Sequence, residues 1–243
     1  MMITQHSTAQ EIKEMLFKLS DPQKKEFLPY FFKTGKGQYG EGDKFIGVVV
    51  PKQRALVKTI KKIELAEIEL LLCDPYHECR LTGLLLLVQI YQKASTEEDK
   101  KVIFDFYIAN YTHINNWDLV DLSAPQIVGD YLLTHPREVL DTYAQSNHLW
   151  LQRIAIISTF AFIKKNQFAD TFAIADLLLN HPHDLIHKAV GWMLREAGKR
   201  DFEAEYNFLL TNERYKRMPR TMLRYAIEKF PEPMRQDFLK GRL

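Results

Sequence analysis

Apolar residues recur along this chain at the spacing of an α-helix. In residues 8–19 they stand three or four positions apart, which places them on one helix face. The same pattern predicts helices over residues 97–109 and 168–179. β-Branched residues cluster only in residues 46–50, which run into Pro51 and are too few to build a sheet. The chain is therefore predicted to be all-α.

One segment interrupts the helical pattern. Residues 34–42 hold four glycines in nine positions, and glycine loses too much conformational entropy on folding to favour a helix interior. Phosphate-binding loops are also glycine-rich, but this segment lacks the G-x-x-x-x-G-K-[ST] spacing of such a loop. We therefore expect a loop here without a nucleotide site.

Five apolar segments start in a similar way. One position near each start forms a series with separations of 41, 32, 35 and 32 residues. Repeats of about 30 to 45 residues, each made of two helices, are typical of HEAT-like solenoids. We predict an α–α superhelix of stacked helix pairs, with equivalent positions along one concave groove. We call this position in each repeat the slot, and the five slot residues are Arg80, Asp121, Arg153, Lys188 and Arg220.

Length and composition fit a folded protein with a sizeable core. The 243 residues are 46% hydrophobic and 26% charged, with only 10 glycines and 10 prolines, which excludes disordered and collagen-like classes. No segment reads as a linker. We therefore expect residues 1–243 to form a single domain that includes the glycine-rich loop.

The sequence also indicates where the protein works. The longest apolar run, residues 84–88, is far below the roughly 20 residues of a membrane helix, and no basic stretch followed by an apolar core marks a signal peptide. Cys73 and Cys79 are too few for a disulfide framework. We expect reduced thiols in a cytoplasmic protein that joins the nucleoid when it is bound to DNA.

Charge is balanced overall and uneven locally. The chain holds 33 Lys+Arg against 31 Asp+Glu, which says little about partners. Residues 186–243 hold 13 basic and 8 acidic residues, an excess of five positive charges. Basic patches favour phosphate contact through counterion release, although a solvated helix face accounts for this excess equally well.

Asp121 is the one acidic residue among the five slots. A carboxylate in a row of cations should remain ionised. In a groove that binds phosphates it repels the DNA backbone, which is costly unless the residue performs a task. The alternative is a helix cap or a partner of the helix dipole. Asp118 is the better placed cap, which leaves Asp121 to point outward.

Two tryptophans stand one helical turn from slot residues. Trp117 precedes Asp121 by four positions and Trp192 follows Lys188 by four, so each pair shares a helix face. Most tryptophans are core residues, and Trp150, with leucine on either side, is expected to be one. The pairing with a carboxylate favours a binding role for the other two.

Indole faces, a carboxylate and cations together suit a cationic nucleobase. Such an alkylated base is attracted to an indole by cation–π interaction. Breaking its glycosidic bond builds positive charge on the deoxyribose, as in glycoside hydrolysis. An ionised Asp121 would stabilise that charge or position water, and Arg153 would grip an adjacent phosphate.

Five motifs follow one another in the order that is typical of one known family. They are G-Q-Y-G-E-G-D-K-F-I-G-V at 37–48, W-D-L-V-D at 117–121, W-L-Q-R at 150–153, K-A-V-G-W-M-L-R-E at 188–196 and M-P-R at 218–220. Together they resemble the AlkD-type DNA alkylation repair glycosylases over about residues 10–240. The resemblance implies a HEAT-like fold that excises 3-methyladenine or 7-methylguanine from double-stranded DNA. It also implies that the lesion stays in the duplex, unlike in most enzymes that act on bases.

The resemblance assigns roles to single residues. Asp121 would be the catalytic carboxylate, Trp117 and Trp192 would flank the sugar of the lesion, and Arg153 would bind the DNA backbone. Tyr39 would match a DNA-facing aromatic residue near the N-terminus of the family. Further candidates for backbone contact are Lys188, Arg195 and Arg220.

The chain departs from the family pattern at two places. Some members carry two tryptophans before the aspartate, where this chain has Asn116-Trp117. Some carry aromatic residues before the helix of the last tryptophan, where this chain has Asp184-Leu185. Both departures leave the catalytic set intact and bear on the range of lesions.

Two histidine patterns invite a metal interpretation. His183 and His187 stand at i and i+4, but no third ligand accompanies them, so a structural role is favoured. The sequence His77-Glu78-Cys79 has no second ligand cluster. We predict no metal and no cofactor.

Two functions from different classes remain open. No lysine stands at the slot of Asp121, so the glycosylase would be monofunctional, and we expect a monomer without an obligate protein partner. The alternative is a non-catalytic HEAT scaffold that binds DNA or protein on its concave face. Release of free base from methylated DNA separates the two.

Overall fold

The computed structural model describes residues 6–243. Its helices group into two compact units, the first ending at Ser123 and the second spanning Ala124–Leu243. Over the described residues, β-type pairing is limited to one isolated bridge between Lys44 and Tyr76. The prediction of an all-α, helical-repeat fold is confirmed, and the single domain over residues 1–243 stays a prediction.

The first unit is organised around one buried helix, α5. Of its 17 residues, 13 are buried, as expected of a helix that packs on all sides. The neighbouring helices α3, α4, α6 and α7 each pack against it. The helices of this unit are α1 (Ala9–Lys18), α2 (Pro22–Phe31), α3 (Val50–Thr59), α4 (Leu65–Leu72), α5 (His77–Lys93), α6 (Glu97–Ala109) and α7 (Trp117–Asp121).

Helix α1 shows why the sequence pattern predicts its elements well. The hydroxyl of Thr8 accepts a hydrogen bond from the backbone N–H of Glu11, and the Glu11 carboxylate accepts one from the backbone N–H of Thr8. This capping box starts the helix. The apolar face then buries Ile12 and Leu16 completely. The helix predicted over residues 8–19 is confirmed.

The glycine-rich segment is a loop, as predicted, and it continues as irregular chain to the start of α3. Gly47 has a φ of 97°, and a Cβ there would lie 2.3 Å from the carbonyl oxygen of Asp21. Its amide and those of Ile46 and Val48 all donate to the buried carboxylate of Glu78 on α5. One charged side chain thus satisfies three backbone donors that no sheet pairs.

The second unit is built from helix pairs. Helix α8 packs against α9 and α11 packs against α12, while α9, α12 and α15 pack in succession. The helices are α8 (Glu138–Ala144), α9 (Leu149–Ser158), α10 (Phe160–Ile163), α11 (Ala169–Leu177), α12 (Asp184–Gly198), α13 (Phe202–Leu210), α14 (Arg214–Arg217), α15 (Arg220–Ala226) and α16 (Glu232–Lys240).

The five similar starts found in the sequence all begin helices, namely α5, α7, α9, α12 and α15. The apolar segment after the second start does not form one continuous α-helix. Helix α7 ends at Asp121, and a π-helical turn follows at Pro125–Gly129, because proline has no N–H to continue the ladder. Gly129 is required there, since a Cβ would lie 2.3 Å from the carbonyl oxygen of Ser158.

Among residues 6–243, no helix combines the length and the apolar character that crossing a membrane requires.

Candidate functional site

Helix α7 carries the proposed catalytic carboxylate, and its start is fixed differently from the sequence prediction. The side-chain oxygen of Asn116 accepts a hydrogen bond from the backbone N–H of Trp117 at 2.8 Å and caps the helix. The prediction that Asp118 is the cap is wrong. Asp118 is 4% exposed and points into the unit, where Oδ2 lies 2.9 Å from Nε2 of His77.

Trp117 and Asp121 lie one turn apart on α7, and both are half-buried. The Trp117 ring stacks on Phe32 with centroids 5.4 Å apart and meets the edge of Phe31 at 5.8 Å. Asp121 lies near the buried Tyr107. Burial raises the pKa of Tyr107, a hydrogen bond with Ser123 opposes that rise, and the negative charge of Asp121 adds to it.

An aromatic and basic surface on α2 adjoins this indole, and sequence reasoning missed it. Phe27, Tyr30 and Phe31 are 54%, 84% and 50% exposed, and Phe31 is the residue that contacts Trp117. Pro29 lies inside the helix. The signal was present in the K-K-E-F-L-P-Y-F-F-K segment, which interleaves lysines with aromatic residues. Exposed lysines on or near this helix are Lys24, Lys25, Lys33 and Lys36.

Four charged side chains are buried beneath α7. His77 lies between Asp118 and Asp43, with its Nδ1 3.4 Å from Oδ2 of Asp43. Arg80 completes the cluster with a 2.6 Å ion pair to the other oxygen of Asp43. Burial pushes the pKa of Asp43 upward, but the hydrogen bond from His77 and the charge of Arg80 outweigh it and hold that pKa below its usual range.

Trp192 is half-buried on α12 in the second unit. Its indole N–H donates to Glu196 at 3.2 Å, and its ring centroid lies 6.0 Å from that of Phe160. Trp150 is 7% exposed, which confirms the expectation that it packs in the core. Of the three tryptophans, the two chosen from the sequence are therefore the more exposed ones.

Arg153 on α9 is 4% exposed, and its guanidinium donates to the carbonyl oxygen of Leu185 at 2.6 Å. This bond ties α9 to the first turn of α12. Arg80, another basic slot, is 5% exposed and is engaged by Asp43. Two of the four cationic slots thus serve buried contacts, and a phosphate contact of Arg153 stays a prediction.

The other predicted DNA contacts lie nearer the surface of the second unit. Lys188 is half-buried and pairs with Asp184 at 2.9 Å. Arg195 pairs with Glu228 and also lies 3.5 Å from Glu196.

Arg220 and Tyr39 complete the predicted set, one in each unit. Arg220 in the second unit is exposed, and its guanidinium donates to the carbonyl oxygen of Leu239. Tyr39 lies in the glycine-rich loop of the first unit and is half-buried, with Nζ of Lys33 5.9 Å from its ring centroid.

His183 and His187, the histidines considered as metal ligands, both hydrogen-bond to backbone atoms. His183 caps α12 by accepting from the N–H of Leu185 at 3.1 Å. His187 hydrogen-bonds to the carbonyl oxygen of His181. Within residues 6–243, no three His, Cys, Asp or Glu side chains are grouped so that they could hold a metal ion.

These observations define an all-α helical-repeat protein with an accessible indole and carboxylate on one short helix. The model of the DNA alkylation repair enzyme family matches residues 12–230, and the chain belongs to that family. The solved structure of a predicted DNA alkylation repair enzyme from Enterococcus faecalis superposes with a TM-score of 0.66 at 19% identity. It covers 88% of this chain and 97% of its own. No curated protein matches the sequence.

Membership in the family supports a role in alkylation repair, an enzymatic activity and DNA as the partner.

Proposed function

We propose that this protein is a DNA N-glycosylase that removes 3-methyladenine and 7-methylguanine from double-stranded DNA. The observation that carries the proposal is the placement of Trp117 and Asp121 one turn apart on α7, each half-buried. Family membership narrows the chemistry to the repair of alkylated DNA. The finer assignment to a hydrolytic glycosylase rests on what an indole and a carboxylate can do together.

The reaction uses the cationic character of the lesion. The indole of Trp117 contacts the alkylated nucleotide at the edge of the base stack, where cation–π attraction is worth about 0.5–2 kcal/mol. The bond between C1′ and the base nitrogen breaks, its electron pair leaves with the base, and the deoxyribose acquires positive charge. The carboxylate of Asp121 stabilises that charge. Water then adds to C1′ and releases a proton, so water is the only co-reactant.

The lesion stays in the duplex in this proposal. This geometry follows the resemblance to AlkD-type glycosylases, because an indole can attract a cationic lesion from the edge of the stack without extruding the base. The Trp192 indole, on α12, is assigned the second aromatic contact by the resemblance. No lysine occupies the position of Asp121, so the enzyme is proposed to be monofunctional and to leave an abasic site.

Basic side chains supply the grip on DNA. The exposed Arg220, the surface pairs of Lys188 and Arg195, and the lysines of the α2 surface are the candidates for phosphate contact. Exposed aromatic side chains beside lysines favour nucleic acid, because the rings can pack against the edges of nucleotides while the cations bind the backbone. Tyr39 extends the aromatic set into the glycine-rich loop. The protein is proposed to act in the cytoplasm as a monomer.

The test is direct. Purified protein is incubated with duplex DNA that carries 7-methylguanine or 3-methyladenine, and released bases are separated by chromatography. Free methylated purine and an alkali-labile abasic site are expected. Salt-sensitive binding to the same DNA without any released base would contradict the glycosylase and favour a DNA-binding scaffold.

A further inference from the structure

A buried cluster of charges lies directly beneath the helix that carries Trp117 and Asp121. It comprises Asp43 from the irregular segment before α3, His77 and Arg80 from the first turn of α5, and Asp118 from α7. Each of these four side chains is no more than 6% exposed. Two carboxylates thus face one guanidinium and one imidazole.

The charges balance only if His77 is protonated. Burial lowers the pKa of His77, but the charge of Asp118 and hydrogen bonds to Asp118 and Asp43 outweigh it and raise that pKa to about 9. Asp43 and Asp118 face the ring from two sides, Arg80 follows on its own helix, and the Asn115 amide approaches Asp43 at 3.4 Å. The rings of Phe32 and Phe45 pack against the imidazole, with their centroids 4.6 and 4.9 Å from its centroid.

Two sets of contacts connect His77 to α7, one through Asp118 and one through Phe32. Asp118 accepts from His77 with Oδ2 and from the backbone N–H of Leu119 with Oδ1 at 2.9 Å. Phe32 links His77 to Trp117. Its ring centroid lies 4.6 Å from that of His77 and 5.4 Å from that of Trp117, on which it stacks. A five-residue helix has little hydrogen bonding of its own, so these contacts decide where its side chains lie.

We propose that protonated His77 is a positioning residue, which holds α7 through Asp118 so that Trp117 and Asp121 present their indole and carboxylate to the lesion. This inference rests on the proposed function. His77 itself touches no substrate, since it is 2% exposed. Loss of its proton leaves two buried carboxylates against one guanidinium, and such an uncompensated charge is strongly unfavourable.

Charge-balanced variants test the proposal. His77→Gln leaves a net negative charge in the cluster, and Asp118→Asn added to it restores the balance. Glu78→Gln is the matched control, because Glu78 is the next residue on α5 and equally buried but faces the loop amides rather than α7. All variants are compared by single-turnover excision of 7-methylguanine at a temperature where each is folded, alongside DNA affinity.

His77→Gln is expected to lower the excision rate by about tenfold or more with DNA affinity within roughly threefold, and the double variant to regain most of that loss. Glu78→Gln is expected to lower the melting temperature while its excision rate stays near wild type. Equal excision rates in His77→Gln and Glu78→Gln, or a double variant worse than His77→Gln, would overturn the proposal.

The wild-type protein gives a test that needs no variant. The folded-state pKa of His77 lies above the ordinary value of 6.5. The stabilisation that its protonated ring gives to α7 is therefore fully present below pH 6.5 and is lost as the pH rises through about 9. The excision rate should fall across that upper range, whereas the rate of His77→Gln should be flat there. A flat wild-type profile up to pH 10 would contradict the role of the proton.

A spectroscopic readout separates this inference from the proposed activity. The protein is labelled with 5-fluorotryptophan, and the resonance of Trp117 is assigned by its loss in Trp117→Phe. We expect that resonance to shift as the pH rises through about 9 and to hold its high-pH position in His77→Gln at every pH. A shift without any base release would overturn the glycosylase activity but support the positioning of α7 by His77. An unmoved resonance would overturn that positioning role.

Discussion

Trp117 and Asp121 occupy the first and last positions of α7, one helical turn apart, and each presents a half-buried side chain. The indole is backed by Phe32 and edged by Phe31, so its orientation is fixed before any substrate arrives. A carboxylate at this distance along the same helix face can act on the sugar of a base that contacts the indole.

Replacing Trp117 tests the contribution of the indole. Trp117→Phe keeps an aromatic ring against Phe31 and Phe32 but weakens the cation–π attraction, which is strongest for tryptophan. We expect excision of 7-methylguanine to fall by about 3- to 30-fold, in line with a loss of roughly 0.7–2 kcal/mol. Single-turnover kinetics measure this. The control is Trp150→Phe, a buried indole whose loss should affect melting temperature rather than excision; equal kinetic effects in both variants would refute the assignment.

Arg220 and Arg153 should differ in what they do. Arg220 is exposed, so Arg220→Ala is expected to weaken DNA binding and to reduce the slope of log K against log salt by about one. Arg153 is buried and donates to the Leu185 carbonyl, so Arg153→Ala is expected to lower the melting temperature by removing the buried hydrogen bond that ties α9 to α12. Salt titrations of duplex binding and thermal melts check both; an unchanged salt slope in Arg220→Ala would remove this residue from the DNA surface.

Glu205 predicts a pH dependence of stability in the second unit. The residue is 1% exposed on α13, and burial raises its pKa to about 9 while the charge of Arg195 opposes the rise. Between about pH 4.5 and 9 the unfolded chain ionises this carboxyl and the folded chain keeps it neutral, so its cost to stability grows as the pH rises.

Glu205→Gln removes that cost. At pH 8 the variant is expected to be more stable than wild type by the order of a few kcal/mol, with the difference vanishing near pH 4.5. Urea denaturation at pH 5 and pH 8 measures it, and Glu203→Gln, an exposed neighbour on the same helix, is the control. Parallel pH dependence in wild type and Glu205→Gln would disprove the buried neutral acid.

Several helices and the starts of the repeats could be predicted from the sequence because they depend on local patterns. The capping box at Thr8 and the apolar spacing after it are readable directly, and the repeat series marks where α5, α7, α9, α12 and α15 begin. The same series did not show which way a slot residue points. Arg80 and Arg153 turn inward to Asp43 and to the Leu185 carbonyl, because their partners come from distant segments.

The charge cluster beneath α7 could not be predicted from the sequence either, because its members also come from distant segments. His77 meets Asp43 and Asp118, which lie 34 and 41 positions away, and nothing in the local pattern joins them. Asp118 therefore looked like a cap, while Asn116 performs that task. The exposed aromatic face of α2 was missed because an apolar pattern at helical spacing normally indicates a buried face.

We propose that the carboxylate of Asp121 promotes release of the alkylated base. Asp121→Asn keeps the shape of the side chain and removes its charge, so it should no longer stabilise a cationic sugar but should repel phosphates less. Single-turnover release of 7-methylguanine from duplex DNA is the most direct measurement. We expect a loss of about a hundredfold or more with DNA affinity unchanged or tighter, and equal release by wild type and Asp121→Asn would rule out this role of the carboxylate.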